Sequence, residues 1–348
     1  MFRHRPNALI LSGLAIVAAV VAVIVVAAVS GVSLDRIFED FRPQWIIAVA
    51  IAEAVSFVPY TLAYRQMTVV AGLEPPSLPV TITVVLSGFG PFVVGGGFRL
   101  DQAALMKVYG DQRTARVQVV GLIALEWAVL APFACLSAIV LLLTGANVMG
   151  SLLWPWALCV PAGFALGLWL SVPERKSSRL RRFGPISAVL DGVGLLHQLI
   201  RAPGRTAPAW VSMALYWAAE IVALYAALRM FGVKLGPARL VLAYATGYAV
   251  TRRSLPLAGA AITEVLLTFA LHWVGTPLGP ALAAVVSYRL FNLILVSVPS
   301  LLANHLLGRS LARSPQPRGG SAPVSGSEHD DGRVLATRDA PRQTTQQP

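Results

Sequence analysis

Long apolar runs separated by short polar stretches occupy most of this chain. The first covers about 8–30, and others lie near 44–66, 78–98, 117–143, 151–171, 209–230, 237–250, 260–274 and 279–307. Most hold the roughly 20 residues that a helix needs to cross a bilayer. The pattern therefore predicts an all-α polytopic membrane protein. Arg3-His4-Arg5 precedes the first run, as in a signal peptide. That run exceeds the 7–15 residues of an ordinary signal h-region, so an uncleaved first span is expected.

Two runs are broken. The stretch 78–110 is interrupted at Ser87-Gly88-Phe89-Gly90-Pro91 and again at Gly95-Gly96-Gly97. The stretch 237–275 is interrupted at Thr251-Arg252-Arg253-Ser254-Leu255-Pro256, with Gly259 following. Each offers two half-helices in place of one span. Charge placement decides between the two. The linker 173–207 carries seven basic and two acidic residues, a net +5. Were 78–98 a full span, that linker would lie outside, against the tendency of basic loops to stay cytoplasmic. A hairpin that dips in and returns puts every basic loop on the cytoplasmic side and leaves 144–150 outside. The same reasoning makes 237–275 a second hairpin, entering from the outer face. Both termini are then cytoplasmic, in a multi-pass protein of the cell membrane.

The two halves resemble each other. Trp45, Glu53, Arg65, Gly72, Gly88, Asp101 and Gly110 match Trp210, Glu220, Arg229, Gly232, Gly247, Glu264 and Gly275 with few gaps. An odd number of spans separates the copies, so the second is expected upside down. Inverted repeats with two re-entrant broken-helix hairpins place a transport site at the repeat interface, near mid-membrane.

Composition agrees with the pattern: 56% of residues are hydrophobic, 13% are charged, and mean hydropathy is +0.68. A soluble protein carries about twice that share of charge. The formal charge of +12 sits in segments flanking spans, which fits a membrane surface rather than nucleic acid. Cys135 and Cys159 lie in apolar runs and are expected to be small core residues, giving neither a disulfide framework nor metal-ligand spacing. From about Arg309 the chain turns to Pro, Gly, Ser, Gln and charges, which cannot bury a core. The expected organisation is a transmembrane domain over 1–308 and a disordered cytoplasmic tail over 309–348, with no catalytic domain in that tail. Within 173–207, Leu180, Phe183, Ile186, Val189, Leu190, Val193, Leu196 and Ile200 recur at helical spacing. This suits an amphipathic helix on the cytoplasmic leaflet, against the alternative of a solvated connector.

Ionisable residues at membrane depth are costly and mark function. Glu53, Glu126, Glu220 and Arg289 fall well inside spans, whereas Arg99, Asp101, Arg252, Arg253 and Glu264 fall at or just after the breaks. A half-helix that begins inside the membrane exposes backbone N–H groups and a positive dipole end. Gly96 and Gly97 let a ligand approach, and Arg99, Arg252 and Arg253 suit a phosphate through paired hydrogen bonds. The candidate substrate-binding set is Arg99, Asp101, Arg252, Arg253, Glu264, Gly96 and Gly97. The plainer alternative pairs Arg99 with Asp101 or Glu264 and lets Arg252 or Arg253 reach an interface. Glu126 and Arg289 occupy matched positions with opposite charge, so an intramembrane pair between them is expected. No metal, cofactor or nucleotide motif is present.

Three stretches carry a family resemblance. They are Tyr64-Arg65 before a Gly-containing turn, the Gly-rich break running into Arg99 and Asp101, and the segment from Ser254 to Glu264 followed by Tyr288-Arg289. Over about 10–307 the chain resembles the lysylphosphatidylglycerol synthase transmembrane family of flippase-like proteins. Pro256, Gly259 and Glu264 follow that family's Pro-Gly-Gly-x-Gly-x-x-Glu break only loosely, and the Gly-Glu pair before its first-break Arg is missing here. The resemblance implies translocation of an aminoacylated phospholipid or a polyprenyl-phosphate-linked sugar, without the family's appended aminoacyl-transfer domain. Membrane lipids and a lipid-modifying transferase are the expected partners, and the chain itself is not expected to be an enzyme. The alternatives are an ion-coupled small-solute transporter using Glu53, Glu126 and Glu220, and a polyprenyl-phosphate-dependent glycosyltransferase using Asp35, Glu39 and Asp40.

Overall fold

The computed structural model describes residues 39–89, 111–171, 184–249 and 262–292, together with some of 17–28 and 105–110. Arg99, Asp101, Gly96, Gly97, Arg252, Arg253 and the tail 309–348 lie outside the described residues. Helices α1 (Gln44–Val70), α2 (Leu78–Phe89) and α3 (Gln112–Leu143) come first. Helix α4 runs from Gly150 to Ser171 through a π-helical turn at Pro155–Cys159. Helices α5 (Gly184–Arg201), α6 (Pro203–Met230) and α7 (Pro237–Tyr244) follow, and α7 continues into a second π-helical turn at Ala245–Ala249. Helices α8 (Ile262–Trp273) and α9, over 278–292, complete the order. No strand occurs among the described residues. Four helices are long and apolar enough to cross a membrane: α1, α3, α4 over Gly150–Gly167, and α6. The protein is an all-α polytopic membrane protein.

Local sequence explains the helix ends. Asp111 accepts hydrogen bonds from the N–H groups of Arg113 and Thr114, capping α3. Helices α1 and α6 close alike. Gly72 (φ 74°) and Gly232 (φ 73°) adopt the left-handed region that glycine enters without penalty. Each is followed by the same wrap-back bond, Leu73 N–H to Thr68 O and Val233 N–H to Leu228 O, which satisfies an orphan carbonyl. In α4, Pro161 has no N–H to give, and the preceding turn widens so that Val160 N–H bonds the carbonyl of Pro155.

Helices α1 and α6 form the central pair and run antiparallel. Trp45 meets Tyr225 edge-on at 6.3 Å, while Tyr60 meets Tyr216 at 4.9 Å. At one end of this pair Arg42 N–H donates to Met230 O (2.8 Å) and the Arg229 guanidinium lies over the Trp45 ring. At the other end Gln118 of α3 donates to Thr68 (2.6 Å), and Arg113 pairs with Asp191 of α5 (2.8 Å). Lipid tails are as apolar as leucine, so helices associate here through close packing rather than through expulsion of water. The buried positions are accordingly rich in small residues, among them Ala52, Ala63, Ala223, Ala226 and Ala227.

Helices α7 and α8 lie side by side and antiparallel. A Cβ on Gly247 would run into the Leu267 backbone, and a Cβ on Gly275 would sit 3.3 Å from Arg239 Nη1. The chain therefore leaves α7's start and comes back beside it after α8, at the same end of the bundle. Met149 of the α3–α4 connection and Ser151 at the start of α4 line a cavity of about 260 Å³ there, together with Trp273. Met149 and the C-terminal end of α8 thus lie close together.

Two expectations need correction. Cys159 is exposed and so is not a core residue, whereas Cys135 is half-buried and packs against the core. Apolar side chains facing lipid cost nothing, and a burial argument made for water does not hold there. Helix α5 is no solvated connector. It crosses α3 where Gly192 meets Val120 and where Gly121 meets Leu195, and it buries Leu195, Leu196 and Leu199. Ile200, assigned to the apolar stripe, is exposed instead. Leu196 of the same stripe is buried, beside Leu195 and Leu199.

Candidate functional site

Burial of charge inside the bundle is concentrated at one place. Glu53, Glu126, Glu220 and Glu264 are all buried, each on a different helix. An ion taken out of water costs several kcal/mol unless hydrogen bonds and partners replace its hydration. Their surroundings supply these.

Glu53 of α1 and Glu220 of α6 stand at the same level of the antiparallel pair, between the Trp45–Tyr225 and Tyr60–Tyr216 contacts. Asn292 of α9 donates to Glu53 Oε2 at 3.0 Å. Glu220 Oε2 accepts from the Tyr288 hydroxyl at 2.6 Å and from the Tyr244 hydroxyl at 3.2 Å. Ser56 donates to the Glu53 carbonyl at 2.8 Å, and its hydroxyl also reaches the Glu220 carboxylate. A single polar layer therefore joins α1, α6, α7 and α9.

Glu126 of α3 belongs to the adjoining layer. Its Oε1 accepts from Tyr60 (2.9 Å), and its carbonyl accepts from the Trp217 indole (2.9 Å). Trp217 then meets Tyr244 edge-on, at 5.9 Å between centroids, linking this layer to Glu220's. Such aromatic pairs add directional attraction beyond their contact area.

Arg289, expected beside Glu126, has a second carboxylate as a partner. Arg289 Nε pairs with Glu264 Oε1 at 2.8 Å, with both side chains largely buried. Glu264 lies in the first turn of α8, where a dipole end favours a carboxylate. It is held there as Arg289's partner.

Sequence reasoning found the carboxylates but not the hydroxyls that hold them. Tyr60, Tyr244 and Tyr288 were unremarked beyond the Tyr288-Arg289 pair, and Asn292 and Ser56 were missed. The usable signal was that α1, α7 and α9 carry polar groups deep in apolar runs, where each needs a partner. Both π-helical turns also border this region: Trp156 of the first donates to Thr246 of the second at 2.8 Å. Widened turns of this kind recur at functional positions. No group of three or more metal-ligating side chains occurs among the described residues.

A family model described as the lysylphosphatidylglycerol synthase TM region matches residues 10–300. No curated protein matches the chain.

Proposed function

The chain belongs to the lysylphosphatidylglycerol synthase TM region family, and from that premise we propose that it moves a phosphate-bearing lipid between membrane leaflets. The cargo class is an aminoacyl-phospholipid or a polyprenyl-phosphate-linked sugar. The protein acts as a flippase- or scramblase-like transporter rather than as an enzyme, and a lipid-modifying transferase supplies its cargo.

One observation supports this reading most. The paired half-helices α7 and α8 enter and leave at one end of the bundle, beside a buried polar layer. A broken helix is tolerated at membrane depth only where it is enclosed by protein or lines a watery cavity. In this proposal 237–275 is re-entrant from the outer face and 78–110 is its inverted counterpart. Gly72 and Gly232 share positive φ, as do Gly110 (φ 72°) and Gly275 (φ 106°), which supports the repeat. The end bearing α5 and its basic flank faces the cytoplasm, as do both termini, and the membrane is the cell membrane. Arg99, Arg252 and Arg253, with Gly96 and Gly97, take the phosphate while the tail stays in the bilayer. Asp101 and Glu264 complete the site, Glu264 through its pair with Arg289.

The test uses purified full-length protein in liposomes carrying headgroup-labelled lipid, with exchange read from the label accessible outside. Exchange well above that of protein-free vesicles is expected. Arg99→Ala and Arg252→Ala are each expected to slow it about tenfold or more, as for the loss of one charged hydrogen bond. Exchange equal to that of empty vesicles overturns the reading. Unchanged rates in both variants remove those arginines from the lipid's path.

A further inference from the structure

Glu220 has no part in holding the phosphate, yet two tyrosine hydroxyls hold its buried carboxylate. It is only 2% exposed. Both phenol bonds fall on one oxygen, Oε2, and the two phenols come from different elements: Tyr244 from α7 and Tyr288 from α9. The two hydroxyls are themselves 3.4 Å apart. One oxygen of α6 thus ties down the first half of the hairpin and the helix that follows it.

The charged and titratable groups around it come from every neighbouring element. Helix α1 presents Glu53 at the same level, α7 presents Tyr244, and α9 presents Tyr288 together with Arg289, which lies within electrostatic reach. Helix α3 places Glu126 one layer away, beyond Trp217. Helix α8 contributes Glu264, 6% exposed, whose Oε1 holds Arg289. Its second oxygen, Oε2, is buried and has no hydrogen-bond partner among the described residues. A buried acceptor left open beside a carboxylate layer is an opening for a proton or for water.

An ionised carboxylate is acceptor-only and can take both phenol protons, whereas a protonated one becomes a donor with less capacity to accept. A proton on Oε2 therefore forces one tyrosine to turn or let go. Tyr244 has the longer bond and belongs to the hairpin, so α7 is the element released.

We propose that Glu220 is a proton-binding site, with Tyr244 and Tyr288 as its switching partners, that couples movement of the α7–α8 hairpin to a transmembrane proton gradient. The inference rests on the lipid-transport reading for its cargo but not for the proton site itself. An O–H bond forms at Oε2 when a proton enters from water on one side. The same bond breaks when that proton leaves to water on the other, and no electrons are exchanged.

The experiment uses the full chain in two formats. In proteoliposomes, labelled-lipid movement is measured with and without an imposed pH gradient, and the ratio of the two rates is read. Wild type is expected to give a ratio well above one. Glu220→Gln, which keeps the shape of the carboxyl group but cannot titrate, is expected to bring it to unity. In detergent, infrared difference spectra across a pH titration are expected to show a protonated-carboxyl C=O band that Glu220→Gln lacks. Tyr288→Phe is expected to shift the midpoint of that band, and it serves as the second variant if Glu220→Gln fails to fold. An unchanged band in Glu220→Gln, or an unmoved midpoint in Tyr288→Phe, overturns the proton site. A wild-type ratio of unity with lipid still moving overturns the coupling and leaves the lipid reading intact. A titrating band with no lipid movement under any condition overturns the lipid reading and leaves the proton site intact.

Discussion

The two halves of this protein share backbone devices and differ in charge. Helices α1 and α6 both end on a left-handed glycine, both wrap back through the same hydrogen bond, and both bury a glutamate at one level of the bundle. At the matched position further on, the first half carries Glu126 and the second carries Arg289. Glu126 rests among aromatic donors, whereas Arg289 is anchored by the carboxylate of Glu264. The same helix-end geometry recurs on α1 and α6, which pack against each other. A buried charge cannot be copied without its partner, so charge is where the halves are free to diverge.

The largest test of that difference is Arg289→Met. It leaves Glu264 buried without its partner, and breaking a buried pair from one side costs about 3–5 kcal/mol. A marked drop in the unfolding midpoint in detergent is expected. The double variant Arg289→Met/Glu264→Leu removes the orphaned charge as well and is expected to recover much of the loss. Equal losses in the single and double variants would mean that Arg289 is held chiefly by other contacts.

A smaller effect separates the hairpin from the linker. Gly247→Ala would place a Cβ against the backbone of Leu267, which cannot move aside without parting α7 from α8. Gly121→Ala would meet the far end of the Leu195 side chain, 2.6 Å from Cδ1, and that side chain can turn away. Overpacking of this kind costs about 1–3 kcal/mol. Gly247→Ala is expected near the top of that range and Gly121→Ala near the bottom, both read as thermal shifts. The reverse order would show that the hairpin is the looser contact.

The sequence made the spans legible because a run of apolar residues has the same meaning wherever it lies in the chain. The side-by-side packing of α7 and α8 is visible in the Gly247–Leu267 and Gly275–Arg239 approaches. The carboxylates Glu53, Glu126 and Glu220 stood out for the same reason, as ionisable groups where none is tolerated without cause. Their partners were not legible. Asn292 lies 239 residues from Glu53, and Tyr288 lies 68 from Glu220. In spans apolar on every side, no periodic stripe reveals which face turns inward. Helix rotation is what brings Arg289 to Glu264. The exposure of Ile200, at the edge of the α5 stripe, turns on the same point.

The smallest effect sharpens the likeness of the halves rather than their difference. Gly72→Ala and Gly232→Ala each force a side chain into the left-handed region, at about 1–2 kcal/mol. Were the two helix ends equivalent in every respect, the two substitutions would shift the unfolding midpoint equally. Their surroundings differ. A Cβ at residue 72 meets nothing within 4 Å, whereas one at residue 232 falls 2.9 Å from the Asp40 Cβ. Gly232→Ala must therefore displace the segment leading into α1 as well as strain the turn, and it is expected to lose more. Asp40→Gly combined with Gly232→Ala removes that obstacle and is expected to bring the loss down to that of Gly72→Ala. If Gly72→Ala instead proves the costlier of the two, the turn after α1 is held by contacts that its twin after α6 does not have.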